Sequence, residues 1–128
     1  MNKNEIYIKT GTQYKEMTKA LLTQCNLAAQ ISDTDMQIGI KPNLVSPSEA
    51  SWGATTHPEI VAGIIEYLQE NGYRKIAILE GSWVGDKTTE AYEVCGYREL
   101  SERYQVPFWD MQKDKGIERD CGGVKLNI

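Results

Sequence analysis

The densest run of reactive side chains lies in residues 41–59, KPNLVSPSEASWGATTHPE. Lys41 is a compact point charge suited to holding a carboxylate or phosphate. Asn43, Thr55 and Thr56 add hydrogen-bonding groups, and His57, the chain's one histidine, can carry a proton near neutral pH. A second short run, Glu80-Gly81-Ser82, adds a carboxylate and a hydroxyl. Together these types describe a site for a small anionic ligand. Lys41, Asn43, Thr55, Thr56, His57 and Ser82 would bind it, and His57 or Glu80 would move a proton if the site is catalytic.

Each residue also has a plainer reading. Lys41 and Glu80 can simply pair across adjacent strand ends. Pro42 biases Lys41 away from helical dihedrals and Asn43 tolerates turn geometry, so Lys-Pro-Asn serves equally as a rigid exit from a strand. Thr56-His57-Pro58-Glu59 fits a capping box, with Pro58 in the first helical turn. A helix start at that edge would still offer free amides to an anion.

Other signatures fail. Residues 81–88, GSWVGDKT, depart from a P-loop in spacing, and Asp86 puts a negative charge where phosphate would sit. The G-x-G-x-x-G fingerprint of dinucleotide binding is absent. This run reads as a loop over the crevice, with Trp83 as a lid or a packing residue and Asp86 or Thr88 as a cap for the next helix. Cys25, Cys95 and Cys121 are widely spaced, outside any C-x-x-C pair, so no metal site and no cofactor is supported by this segment. They read as reduced thiols.

The elements that must position these residues follow from periodicity. Residues 5–9 (EIYIK) alternate, with Ile6 and Ile8 on one side, as a first strand does. From Tyr14, apolar residues recur three or four apart through Ala28, predicting a helix of about five turns. Residues 36–41 read as a second strand. Ile60, Val61, Ile64, Ile65 and Leu68 make the apolar stripe of a long helix stopped at Gly72. Residues 74–80 (RKIAILE) suit a central strand covered on both faces. Helices over residues 88–95 and 97–105 then lead to a strand over 106–110. The polar stretch 113–123 reads as a loop. Val124, Leu126 and Ile128 alternate beyond it, either as a short edge strand or as part of a pattern cut off by truncation. The favoured expectation is truncation.

Strands alternating with helices predict one α/β domain over residues 1–128. The expected architecture is an open, mostly parallel sheet of four to five strands with helices on both faces, a Rossmann-like three-layer arrangement. Ligands of such sheets bind beyond the strand carboxyl ends, where Lys41, Glu80 and Asp110 would stand. The 128 residues allow a sizeable core. The net charge of −4 argues against a sequence-independent nucleic-acid binder. No apolar stretch reaches the roughly 18 residues of a membrane helix, and the start lacks a signal-peptide core. A cytoplasmic protein is expected, without nucleic-acid or membrane partners.

Four segments, 40–45 (IKPNLV), 54–59 (ATTHPE), 80–82 (EGS) and 89–97 (TEAYEVCGY), resemble domain-of-unknown-function family 362. The likeness runs from about Ile6 to Asp110. It implies membership of a largely uncharacterised family, some of whose members carry an appended ferredoxin-type iron–sulfur module. No such cysteine cluster is present here, so a redox role does not carry over. Relatives usually continue into a second half with another lysine/histidine motif. The resemblance therefore implies an N-terminal half, whose partner would be the missing C-terminal half or another domain. The layout is also similar, at fold level only, to the N-terminal domain of nickel-pincer lactate racemases. Two functions are expected from different classes. One is a domain binding a small anionic metabolite as part of an enzyme. The other is a non-catalytic docking or structural module of a larger, possibly iron–sulfur, redox protein.

Overall fold

The computed structural model describes residues 5–127. Strands β1 (Ile38–Ile40), β2 (Ile76–Glu80) and β3 (Phe108–Asp110) form a parallel sheet in that spatial order. Ile38, Gly39 and Ile40 lie opposite Ile76, Ala77 and Ile78; Ile78, Leu79 and Glu80 lie opposite Phe108, Trp109 and Asp110. This register gathers the strand carboxyl ends at one edge. Between and before the strands run α1 (Tyr14–Gln24), α2 (Pro58–Glu70), α3 (Thr88–Val94) and α4 (Tyr97–Tyr104).

Strand side chains alternate between faces, and the two faces differ. Ile38, Ile40, Ile76, Ile78 and Phe108 join one core cluster with Val61, Ile65 and Leu68 of α2 and Tyr97 and Leu100 of α4. Gly39, Ala77, Leu79 and Trp109 face the other way and contribute nothing to that cluster. Trp109 stays 52% exposed there.

α1 and α2 pack side by side at the one point where α2 has no side chain. A Cβ at Gly63 would stand 2.6 Å from the Lys15 carbonyl oxygen and 2.9 Å from Thr18 Cβ. Glu66, one turn on, ties three elements together. It accepts from Lys15 Nζ at 3.0 Å and Lys19 Nζ at 3.2 Å on α1, and from the Tyr104 hydroxyl at 2.6 Å on α4.

Several sequence expectations need correction. Residues 5–9 form no strand, and Ile6 and Ile8 are 85% and 81% exposed. An alternating pentapeptide has no ladder of its own; without a hydrogen-bonded neighbour it stays irregular. The five-turn helix ends after three. Cys25 closes α1, Asn26 takes a left-handed conformation (φ 51°), and Leu27–Gln30 continue as a 3-10 turn. Among the described residues the main sheet has three parallel strands rather than four or five, and the molecule is mixed α/β. In the stretch read as a polar loop, β4 (Glu118–Asp120) pairs antiparallel with β5 (Lys125–Asn127) as a separate hairpin. Its turn uses Gly122 and Gly123 at φ 70° and 88°, a region glycine enters without strain. Ile128 lies outside the described residues.

The Glu66 clamp has a pH signature. Burial alone pushes this carboxyl up, but the Tyr104, Lys15 and Lys19 hydrogen bonds outweigh it and bring the pKa from 4.5 to about 2. A depressed folded-state pKa contributes stability that is complete above the unfolded value and is lost as pH falls through the folded one. Stability should therefore fall between pH 4.5 and about 2. Chemical denaturation of Glu66→Gln across that window should show a flatter acid limb than the unsubstituted protein. An unchanged slope would show that Glu66 is not the group being protonated.

Candidate functional site at the strand carboxyl edge

Glu80 ends β2 with its carboxylate turned back into the protein, the residue only 2% exposed. One oxygen accepts from the Gly81 amide at 2.8 Å and lies 3.0 Å from Lys41 Nζ. The other accepts from the Leu44 amide at 3.0 Å and from Lys41 Nζ at 3.2 Å. Lys41 thus bridges both oxygens while its own side chain is 58% exposed. The pairing across neighbouring strand ends is present, and it orients the lysine.

The loops on either side are stitched together. Ser82 donates its hydroxyl to the Leu44 carbonyl at 2.7 Å, and Trp83 donates its amide to Val45 at 3.0 Å. Asn43 and Thr56 close the base of the long loop. The Asn43 amide donates to the Thr56 hydroxyl oxygen, and the Thr56 amide donates to the Asn43 carbonyl, both at 2.9 Å. The Asn43 side chain donates to the Ala54 carbonyl at 2.9 Å. Buried Thr55 donates to Ser48 at 3.0 Å. The hydroxyls and amides named as ligand-binding candidates therefore hold the loop itself.

The capping box does not form. His57, not Thr56, is the N-cap of α2 and makes no side-chain cap bond. The Thr56 hydroxyl is already engaged by Asn43, so loop closure outcompetes the helix amide for it. The His57 ring packs on Tyr14, centroids 4.5 Å apart, with Nδ1 3.9 Å from Glu59. The structure thus brings Lys41, Asn43, Thr56, Glu80 and Ser82 together around one loop base, whereas the partners of His57 are Tyr14 and Glu59.

Three supports of this edge were not legible in the sequence. Gln112 accepts from the Thr88 amide at 3.1 Å and donates to the Ser82 and Asp86 carbonyls at 3.1 and 3.0 Å. It does from a distance what Asp86 or Thr88 was expected to do as a cap; the Thr88 hydroxyl instead accepts from the Ser82 amide. Tyr97, fully buried, donates to the Thr56 carbonyl at 3.0 Å, and burial pushes its phenol well above the usual range. Cys95 points its thiol at the Ser48 carbonyl, 3.2 Å away. Trp83, read as a lid or a packing residue, is exposed.

One groove reaches the carboxyl end of β3 and another runs along the helices. One of about 430 Å³ is lined by Leu79, Trp109, Asp110, Met111, Lys113 and Asp114. A larger one, about 610 Å³, runs along α1, α2 and α4. Its charged lining is Lys15 and Arg103 against Glu16, Glu59 and Glu99, a balance that disfavours an anion. Among the described residues, no group of three or more His, Cys, Asp or Glu side chains converges to hold a metal. The three cysteines are free thiols.

Removing the Glu80 charge tests what holds the loops. Glu80→Gln replaces one acceptor oxygen with a donor that faces the Leu44 or Gly81 amide. We expect a loss of about 1–3 kcal/mol, the usual cost of leaving a buried donor unpaired, measured by urea unfolding. An unchanged midpoint would remove Glu80 from its central place.

A model of the family "Domain of unknown function (DUF362)" matches residues 38–128. No curated protein and no solved structure matches the chain. The match differs from the extent of the sequence resemblance at both ends: it starts at β1, leaving α1 outside, and takes in the C-terminal hairpin. It also includes every residue of the Lys41–Glu80 edge, and on that match the chain belongs to the DUF362 family.

Proposed function

We propose that this domain binds a small anionic ligand, a carboxylate or phosphate, through Lys41 at the strand carboxyl edge, as part of an enzyme. The observation that supports this is the state of Lys41. Its ammonium group is held on two buried oxygens, yet more than half of its side chain faces solvent. A cation oriented in this way has already lost much of its rotamer freedom, so less is lost when a ligand binds. Asn43 is exposed beside it. Glu80 serves as the lysine's support on this reading, since both its oxygens are occupied.

The test is thermal unfolding with inorganic phosphate or citrate against chloride at matched ionic strength. The anion should raise the melting temperature of the unsubstituted protein. Lys41→Ala, starting from its own lower melting temperature, should lose that increment. An equal increment in both proteins would show that the anion binds elsewhere.

A second reading, a docking module, is favoured by the other face of the sheet. Parallel sheets are normally covered on both faces, whereas Trp109 and Met111 stand half exposed beside Leu79. A layer from another domain over that face would complete the Rossmann-like three-layer arrangement. Trp109→Asp with Met111→Asp should then leave the melting temperature within about 2 °C, as surface changes do, while abolishing binding of a hydrophobic dye. A fall of the size seen for core substitutions would count against an open docking face.

A further inference from the structure

The exposed segment before α1 has a place waiting for it. Residues 6–9 read IYIK and residues 38–41 read IGIK. The second is β1 with its lysine; the first is irregular, with Ile6 and Ile8 in solvent. Among the described residues β1 pairs only with β2, so its other edge is open.

Handedness says which edge a strand before α1 would take. The sheet advances from β1 to β2 to β3 through helical crossovers, and parallel crossovers are right-handed in nearly all proteins. α1 runs alongside α2 in the same direction. Tyr14 meets His57 at its start, Lys19 reaches Glu66 and Glu70 further along, and the Ala28 amide reaches Tyr67. A right-handed crossover through α1 on the α2 side of the sheet puts the preceding strand on the open edge of β1.

The reach is short enough. Tyr14 packs on His57, and the next residue back, Thr56, is paired to Asn43 just beyond β1. The start of α1 therefore sits at the carboxyl end of β1. Residues 10–13 bridge Lys9 to Tyr14, and four residues span up to about 14 Å.

We propose that residues 6–9 dock as a fourth parallel strand on the open edge of β1 and set Lys9 beside Lys41. Ile6 and Ile8 then lie on the face of Ile38 and Ile40, toward α1. Tyr7 falls beside Gly39, where no side chain competes. Two ammonium groups against the single Glu80 carboxylate repel each other and favour a dianion between them. A small phosphate-bearing or dicarboxylate ligand is the class that fits. The strand half of this inference stands alone; the two-lysine site rests on the binding function proposed above.

Hydrogen exchange on the whole chain, with inorganic phosphate against chloride at matched ionic strength, decides it. Phosphate should slow exchange of the 6–9 amides by about tenfold or more, the mark of a paired strand. Ile8→Asp should abolish that protection without changing the melting temperature in chloride. Lys9→Ala should lose at least half of the phosphate-induced thermal shift. Coil-rate exchange of residues 6–9 in phosphate overturns the docked strand, whatever the thermal shift does. Protection of 6–9 with no Lys41-dependent thermal shift upholds the strand and removes the anion site.

Discussion

A buried carboxylate that must find partners organises the strand carboxyl edge of this domain. Placed at the end of the central strand, Glu80 is cut off from water. A bare charge there is costly unless it is paired and hydrogen-bonded. The protein meets that demand with one cation and two amides, and each partner belongs to a different piece of chain: Lys41 directly follows β1, Leu44 lies in the long loop, and Gly81 begins the next loop. Satisfying one side chain therefore fixes where two loops leave the sheet. The Ser82 and Trp83 contacts to Leu44 and Val45 extend the same seam.

A second carboxylate does comparable work among the helices. Glu66 joins α1 to α2 and reaches α4 through Tyr104, next to the close approach at Gly63. The two acids differ in exposure: Glu66 keeps a fifth of its side chain in solvent, Glu80 almost none. Glu66 clamps the helical layer, and Glu80 joins the strand ends to their loops. Between them lies the apolar cluster of Ile40, Ile65, Ile78 and Tyr97, which supplies the bulk of the burial and no directionality.

Much of the fold was readable from local pattern. β2 and β3 with their helices follow the runs and stripes of apolar residues, since a period of two or of 3.6 can bury only one kind of element. Gly72 and Gly96, at φ 91° and 77°, mark the ends of α2 and α3. The candidate site was legible as a place, because Lys41 and Glu80 each close a strand. Their roles were less so. Thr56 fits a cap in sequence, but its hydroxyl is taken by an amide thirteen positions earlier. Gln112 carried no local signal, since its three partners lie 24 to 30 positions away.

By itself, the sequence determined the order of helices and parallel strands from α1 to β3 and the place of Lys41 and Glu80 at strand ends. These depend on residue spacing, which acts over one or two turns of chain. Tertiary structure decided what each polar group does and which apolar segments are buried. Ile6-Tyr7-Ile8 and Ile38-Gly39-Ile40 carry the same pattern, yet only the second is a strand, because only it has β2 alongside. A strand exists by pairing, and pairing is a property of the neighbour.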